Sequence, residues 1–338
     1  MSGPKHFQGF QLKHPPYPES FATANGKYLL RELKRQERIT LLCVDECHTS
    51  KHWAGFRPDI ERQTGMLRAF LRPDSPTIVM TATATSSEVR GLVKNLGLGA
   101  RGKPVLIASN PVQGHMKLNI VKRPANNLGM NGIGDKKGLW QLLQCLYFDQ
   151  YFEDKKNGRV PKKLLVFSKT FKPLIALHTI MRRMTGECSV ATASFCMIHS
   201  DLLRPTEKTI MERINDYDII YATTRMLLGH DLDRMDIVIF LTPFGDVSSV
   251  LQGGGRGGRR KLNGFRSSVQ IYQLFNGSDL TIKNKTMTET MRTMCRTAST
   301  SCTRKLLREH FHLGGGEPGE QTVEQGLGCC TYCDSLDG

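Results

Sequence analysis

The 338-residue sequence is short of acidic residues, of aromatics and of long apolar runs. Thirty-one Asp and Glu face 47 Lys and Arg, and the resulting charge of +16 favours a polyanionic partner, nucleic acid ahead of an acidic membrane surface. Aromatics reach only 7%, but hydrophobic residues make up 39% and Gly and Pro are spread along the chain, which excludes a wholly disordered or low-complexity protein. No apolar run approaches membrane-spanning length, and Met1 to Phe10 carries no apolar signal-peptide core, so a soluble, intracellular protein is expected. A further absence is Gly-x-x-x-x-Gly-Lys-Ser/Thr, the loop whose backbone N–H groups cradle nucleotide phosphates; Gly26-Lys27 is followed by Tyr28, and Phe21 stands where the leading glycine belongs. Cysteine is not scarce. Cys43, Cys47, Cys145, Cys188 and Cys196 are scattered, while five more cluster from Cys295 to Cys333, a distribution expected of reduced core thiols plus a local metal site.

Short β-branched or apolar runs alternate with helical patterns, the rhythm of parallel sheets covered by helices, so the expected class is α/β. In the first part, 39–44 and 77–80 read as strands, 58–71 as a helix opened by Pro58, and 86–96 as a helix stopped by Gly97. Residues 125–137 are rich in Asn and Gly, show no period and read as a linker. A second α/β unit follows, with strands expected at 164–167, 219–222, 237–241 and 269–274 and helices at 171–184 and 206–215. From about 281 the pattern turns helical, and the chain then runs through a Gly-rich loop into the terminal cysteines.

Leu41-Leu42-Cys43-Val44 reads as a buried strand that ends in Asp45-Glu46-Cys47-His48. A P-loop-type phosphate site needs an acidic pair at such a strand end, one carboxylate for the magnesium of MgATP and the next to polarise the attacking water, roles that fall to Asp45 and Glu46. A solvated strand end gives the same local pattern. A Cys47–His48 nucleophile dyad is disfavoured, because adjacent residues at a strand end point to opposite sides. The box resembles the DEAH box of superfamily 2 helicases, with Cys47 in place of the usual alanine. Trp53-Ala54-Gly55-Phe56-Arg57-Pro58 resembles the aromatic-rich loop that follows it in the RecQ family, one residue shorter here. Met80-Thr81-Ala82-Thr83-Ala84-Thr85 is similar to motif III, and Tyr17-Pro18-Glu19 to the backbone-touching Thr-Pro-Glu of motif Ib.

Further along, Lys163 to Lys169 reads as a strand ending in Ser168 and Lys169 and is similar to motif IV. His199-Ser200-Asp201-Leu202, a helix, and Ile219 to Thr224 follow the order leading into motif V, with Thr223 placed to bond a backbone phosphate. Gly229-His230-Asp231 fits the Gly-x-Asp core of that motif, whose aspartate approaches the nucleotide ribose. Gln252-Gly253-Gly254-Gly255-Arg256-Gly257-Gly258-Arg259 resembles motif VI, Gln-x-x-Gly-Arg-x-Gly-Arg, in which glycines permit tight turns and the guanidiniums meet the γ-phosphate, Arg259 as the arginine finger. A flexible RNA-binding Gly-Arg segment is the alternative, and a single occurrence between motif V and a strand favours the helicase reading.

In this order the segments resemble a RecQ-like superfamily 2 helicase. The resemblance implies an incomplete first RecA-like lobe over 1–124, a linker over 125–137, a complete second RecA-like lobe over 138–280 and a helical zinc-binding region over 281–338, with the phosphate loop upstream of what the sequence covers. It implies Asp45, Glu46, His48, Arg256 and Arg259 as catalytic residues. ATP and Mg2+ are expected on Asp45, Gly229, Asp231, Gln252, Arg256 and Arg259, and DNA on Trp53, Phe56, Arg57, Ser168, Lys169 and Thr223. Cys302 with Cys330-Thr331-Tyr332-Cys333 resembles the family's Zn2+ site; the family's fourth cysteine position falls on Leu336, leaving Cys329, His310 or His312, and Cys329 is the expected ligand although vicinal cysteines do not readily share one ion. A degenerate site stays open as an alternative, and a redox pair is weaker because no βαβ pattern surrounds it. The implied activity is ATP-dependent 3′-to-5′ DNA unwinding, with the chain a fragment of the enzyme; the alternative is a non-catalytic nucleic-acid-binding protein derived from one. Nuclear residence is expected from the resemblance and the charge, with the Lys155-Lys156 and Lys162-Lys163 pairs as a loose import signal.

Overall fold

A computed structural model describes residues 21, 23–47, 66–72, 75–109, 111–124, 138–187, 194–223, 226, 232, 234–258, 261–262, 265–281, 284, 287–312 and 328–336. The chain forms two units, Met1–Ala108 and Ser109–Gly338.

In the first unit, helix α1 (Ala24–Arg35) opens on Thr23, whose hydroxyl accepts the Gly26 amide at 3.1 Å. Strands β1 (Leu42–Val44) and β2 (Thr77–Val79) pair in parallel, Leu42 opposite Thr77. The ladder runs one step further, since the Met80 amide donates to the Val44 carbonyl at 2.8 Å and the Cys47 amide to the Met80 carbonyl at 3.1 Å. Helix α2 (Ser86–Asn95) starts on a reciprocal capping box between Thr85 and Glu88. The run into Val44 was expected to be a buried strand, but Leu41 and Ile78 are each 46% exposed. Among the described residues this sheet has two strands, too few to close both its faces, so the apolar pattern is present without the burial it usually signals. The helix expected over 58–71 lies mostly outside the described residues.

The second unit is built on a six-stranded, all-parallel sheet with the order β3-β10-β7-β4-β6-β5. In chain order its elements are β3 (Met116–Lys122), the short helix α3 (Leu139–Leu143) running through a π turn into α4 (Asp149–Lys156), β4 (Leu164–Phe167), α5 (Phe171–Glu187), β5 (Phe195–Ile198), α6 (Arg204–Glu212), β6 (Ile219–Ala222), β7 (Ile237–Phe240), α7 (Val247–Gly254), a β8–β9 hairpin (Lys261–Leu262, Phe265–Arg266) and β10 (Val269–Phe275). Helices α8 (Glu289–Arg296), α9 (Thr303–His310) and α10 (Thr331–Asp334) follow. Parallel strands need crossovers, and crossover helices cover both faces, which is why β4, β6 and β7 are near-continuous apolar runs with every residue buried. Their alternation splits the core in two. Leu165, Phe167, Ile220 and Val238 meet α7, α8 and α9 on one face, and Leu164, Val166, Ile219 and Ile239 meet α3 to α5 on the other. Each such fully buried side chain contributes about 1.5–3 kcal/mol relative to exposure.

The unit boundary falls at Ala108, short of the expected limit of the first lobe at 124, because β3 pairs along its whole length with β10 and so belongs to the second sheet. The expected linker, 125–137, lies outside the described residues. The 281–338 region is not a separate body either: Met287, Met291, Met294, Leu307 and Phe311 are part of the same core as the sheet. Nor is the Gly-rich stretch only a turn. Gln252, Gly253 and Gly254 end helix α7, and the glycines let it approach the sheet closely; a Cβ on Gly254 would sit 2.2 Å from Ile271 Cδ1.

Gly257→Ala places a Cβ 2.3 Å from Val269 Cγ2 and 2.9 Å from the Met235 carbonyl oxygen. It is expected to destabilise the second unit by about 2 kcal/mol, seen as a lower thermal midpoint. Gly91→Ala, in α2 with nothing within 4 Å, is expected to be neutral or stabilising by up to about 1 kcal/mol. Equal midpoints for the two variants would contradict this packing.

Candidate nucleic-acid interface and thiol cluster

The C-terminal ends of β4, β6 and β5 lie side by side, and backbone bonds extend the ladder beyond them. The Ser168 amide donates to the Ala222 carbonyl and the Thr223 amide to the Ile198 carbonyl, each at 3.1 Å, while the Leu241 amide donates to the Phe167 carbonyl at 2.9 Å. Ser168, Thr223 and His199 therefore sit in neighbouring positions on one edge of the sheet. Ser168 is 1% exposed and its hydroxyl accepts the Thr170 amide at 3.4 Å, so it shapes the loop and is closed to solvent. Thr223 is buried at its strand end, and Lys169 is the exposed cation of the group. Desolvation lowers the Lys169 pKa below the ordinary lysine value, with the Asp279 and Asp246 carboxylates opposing it. Asp279 is itself paired, at 3.0 Å, with the buried Arg123 just past the end of β3.

Arg256 lies at the other end of the strands. It follows α7, and two residues on, the Gly258 amide donates to the carbonyl of Met235, just ahead of β7, at 3.2 Å. Arg256 is buried, and Gln252 is half-buried within α7. Gly229, Asp231 and Arg259 lie outside the described residues, as do His48, Trp53, Phe56 and Arg57. In the first unit, Asp45 is exposed and its Oδ1 accepts the Glu46 amide at 2.8 Å. Glu46 holds a left-handed backbone, φ 49°, uncommon for a residue with a Cβ and frequent at turns that carry function. Beside it, the Thr81 hydroxyl donates to the Thr83 carbonyl at 2.9 Å and accepts the Thr83 amide at 3.3 Å, a closed local turn. Burial pushes the Cys47 thiol up to about 11, so it is protonated at neutral pH and unsuited to nucleophilic work. Among the scattered cysteines, Cys47 and Cys196 are buried as expected, but Cys43 and Cys145 are exposed, not core thiols.

Four thiols converge at the C-terminus. Cys302, Cys329, Cys330 and Cys333 have all their Sγ atoms within 4.8 Å of one another. Cys302 lies 3.6 Å from Cys329 and 4.0 Å from Cys330, and Cys330 lies 3.7 Å from Cys333. A ZnS4 tetrahedron with Zn–S near 2.3 Å has S···S edges of about 3.8 Å, so the donor set fits zinc in number, chemistry and spacing. Burial pushes the Cys330 thiol up, but hydrogen bonds from the backbone of Cys333 and Thr303 and the adjoining Cys333 and Cys302 thiols outweigh it and hold it below the ordinary thiol value. His310 stands apart from the cluster, with Nδ1 3.3 Å from the Thr290 hydroxyl. Sequence reasoning passed over Arg304, which fixes the cluster to the sheet. Its buried guanidinium donates to the carbonyls of Val112 at 3.4 Å, Gln113 at 3.1 Å and Met116. One more arginine on a helix rich in basic residues carries no distinguishing sequence signal.

Residues 141–261 match the family model of the helicase conserved C-terminal domain. The chain is 21% identical over 314 residues to the RecQ-like DNA helicase blm-1 of Caenorhabditis elegans, covering 90% of this chain and 29% of that protein. Among solved structures, it resembles the DUF1998 helicase MrfA bound to DNA, at TM-score 0.55 and 18% identity, over 83% of this chain and 34% of that one. It also resembles the Mycobacterium smegmatis helicase Lhr bound to ssDNA and AMP-PNP, at TM-score 0.51 and 17% identity, over 78% and 32%. The chain thus spans about a third of the length of each relative. The parallel sheet of the second unit resembles that of a RecA-like helicase C-terminal lobe. Among the described residues, no helix is long and apolar enough to cross a membrane.

Proposed function

We propose that the chain acts on DNA in the nucleus as part of a RecQ-like, ATP-dependent 3′-to-5′ helicase, with its second unit gripping the strand backbone. The observation that carries this reading is the alignment of Lys169 and Thr223 on one edge of a helicase-type sheet, with Arg256 at the opposite end of the strands. Phosphate contacts of this kind, through a cation and a hydroxyl, supply most non-specific affinity, and the +16 charge adds long-range attraction. In this reading Trp53, Phe56 and Arg57 add further DNA contacts, and Cys302, Cys329, Cys330 and Cys333 hold one structural Zn2+.

For the nucleotide, Asp45 and Glu46 of the first unit are assigned to Mg2+ and the attacking water, and Gly229, Asp231, Gln252, Arg256 and Arg259 of the second unit to ATP. The phosphate cradle is missing from these 338 residues, so they do not make a whole ATP site and no hydrolytic step is assigned to them. That same observation favours a second reading, a non-catalytic nucleic-acid-binding protein.

Fluorescence anisotropy with single-stranded DNA is expected to show binding that weakens steeply with salt. Lys169→Ala should lower affinity for all sequences alike and reduce the slope of log K against log salt by about 1; an unchanged slope would remove Lys169 from the interface. No DNA-stimulated ATP hydrolysis is expected from the chain alone, and robust turnover abolished by Glu46→Gln would overturn that. Native mass spectrometry should find one zinc per chain, lost in Cys333→Ser; a metal-free native chain would refute the metal assignment.

A further inference from the structure

Because β6 lies between β4 and β5, a side chain from the β4 loop that meets one following β5 must pass across the end of β6, where Thr223 sits. Phe171 and His199 make such a contact. Phe171 opens helix α5, His199 follows β5, and their rings stack with centroids 5.8 Å apart and planes 24° from parallel. The imidazole is held in place: its Nδ1 accepts the Asp201 amide at 3.2 Å, which leaves the neutral ring's proton on Nε2. Packing does not explain the pair. Leu174, Leu177 and Met181 on the same helix are at most 4% exposed, whereas Phe171 keeps 39% of its surface open, as does Ile175 one turn on at 38%. An aromatic ring braced on one side and open to solvent, one turn of chain from Lys169, has the form of a platform for a flat apolar ligand.

We propose that Phe171, backed by His199, stacks one unpaired base of a single DNA strand whose phosphates pass Lys169 and Thr223. This rests on the DNA-binding reading above and adds to it a contact with the base. Every base offers a π-face, so such a platform tolerates any sequence while distinguishing single strands from paired ones, whose bases are already stacked. The imidazole, fixed by the Asp201 amide, keeps the phenyl ring from folding back onto the strand ends.

The test compares a short mixed-sequence single strand with an abasic strand of equal length and charge, both binding the full chain. The wild-type chain should bind the base-bearing strand more tightly. Phe171→Ala should lower that affinity about tenfold and narrow the gap between the two strands. Phe171→Trp should retain the gap and add tryptophan quenching, with the base-bearing strand only, beyond whatever Trp53 and Trp140 give in wild type; it also shows that a change at this position leaves the chain folded. If wild type binds neither strand, the underlying DNA-binding reading fails, and the platform with it. If wild type binds both strands equally, or Phe171→Ala weakens both in parallel, DNA binding stands and the stacking proposal is overturned.

Discussion

The second unit depends on how the outer edge of β3 is covered. A six-stranded parallel sheet leaves its first strand with a row of unpaired N–H and C=O groups, a standing invitation to wrong pairing. Here the C-terminal segment covers part of that row. Cys330 makes a parallel bridge with Leu118, the Ile120 amide donates to the Thr331 hydroxyl at 3.1 Å, and Lys117 pairs with Asp334 at 2.5 Å. Arg304 ties down the carbonyls leading into the strand. A buried guanidinium is costly unless its N–H groups are satisfied, and three carbonyl acceptors offset much of that cost. A metal held on these thiols would join Cys330 to Cys302, 28 residues earlier, and so hold the edge segment against the start of the helix that carries Arg304.

With the edge fixed, the two ends of the strands are free to do different work. The C-terminal ends gather Lys169, Thr223, Phe171 and His199, while the opposite ends hold the turn that carries Arg256. The close approach at Gly254 and Gly257 joins them mechanically, because α7 begins beside the first group, at Asp246, and ends at the second. A helix packed that tightly leaves little room for it to shift against the sheet.

The central strands were legible in the sequence because both faces of a parallel sheet are buried: 164–167 and 219–222 are unbroken apolar runs that end where the structure ends them. Other elements were hidden for physical reasons. In β3, Lys117 and Asn119 interrupt the apolar positions, so the strand resembled part of the preceding lobe, when its outer edge is shielded by residues near the far end of the chain. The end of α7 was masked by glycines, poor helix formers that are tolerated because the sheet leaves no room for a Cβ. Helix α3 has one polar residue, Gln141, whereas α4 is mostly polar, and the π turn between them breaks the repeat. The vicinal pair Cys329 and Cys330 looked sterically unsuited to one ion. Cys330 is nearly fully extended, φ −166° and ψ 172°, and both thiols reach the cluster. The aromatic platform had no sequence signature, since neither Phe171 nor His199 is unusual in itself and only the strand order brings them together.

The central claim is that the thiol-bearing segment is an integral edge of the helicase-type lobe. Amide hydrogen exchange along β3 tests it most directly, comparing the zinc-loaded chain with the chain after zinc is removed by a chelator. Ile120 and its neighbours in β3 are expected to lose protection while β4, β6 and β7 keep theirs. Unchanged protection in β3 after zinc removal would contradict it.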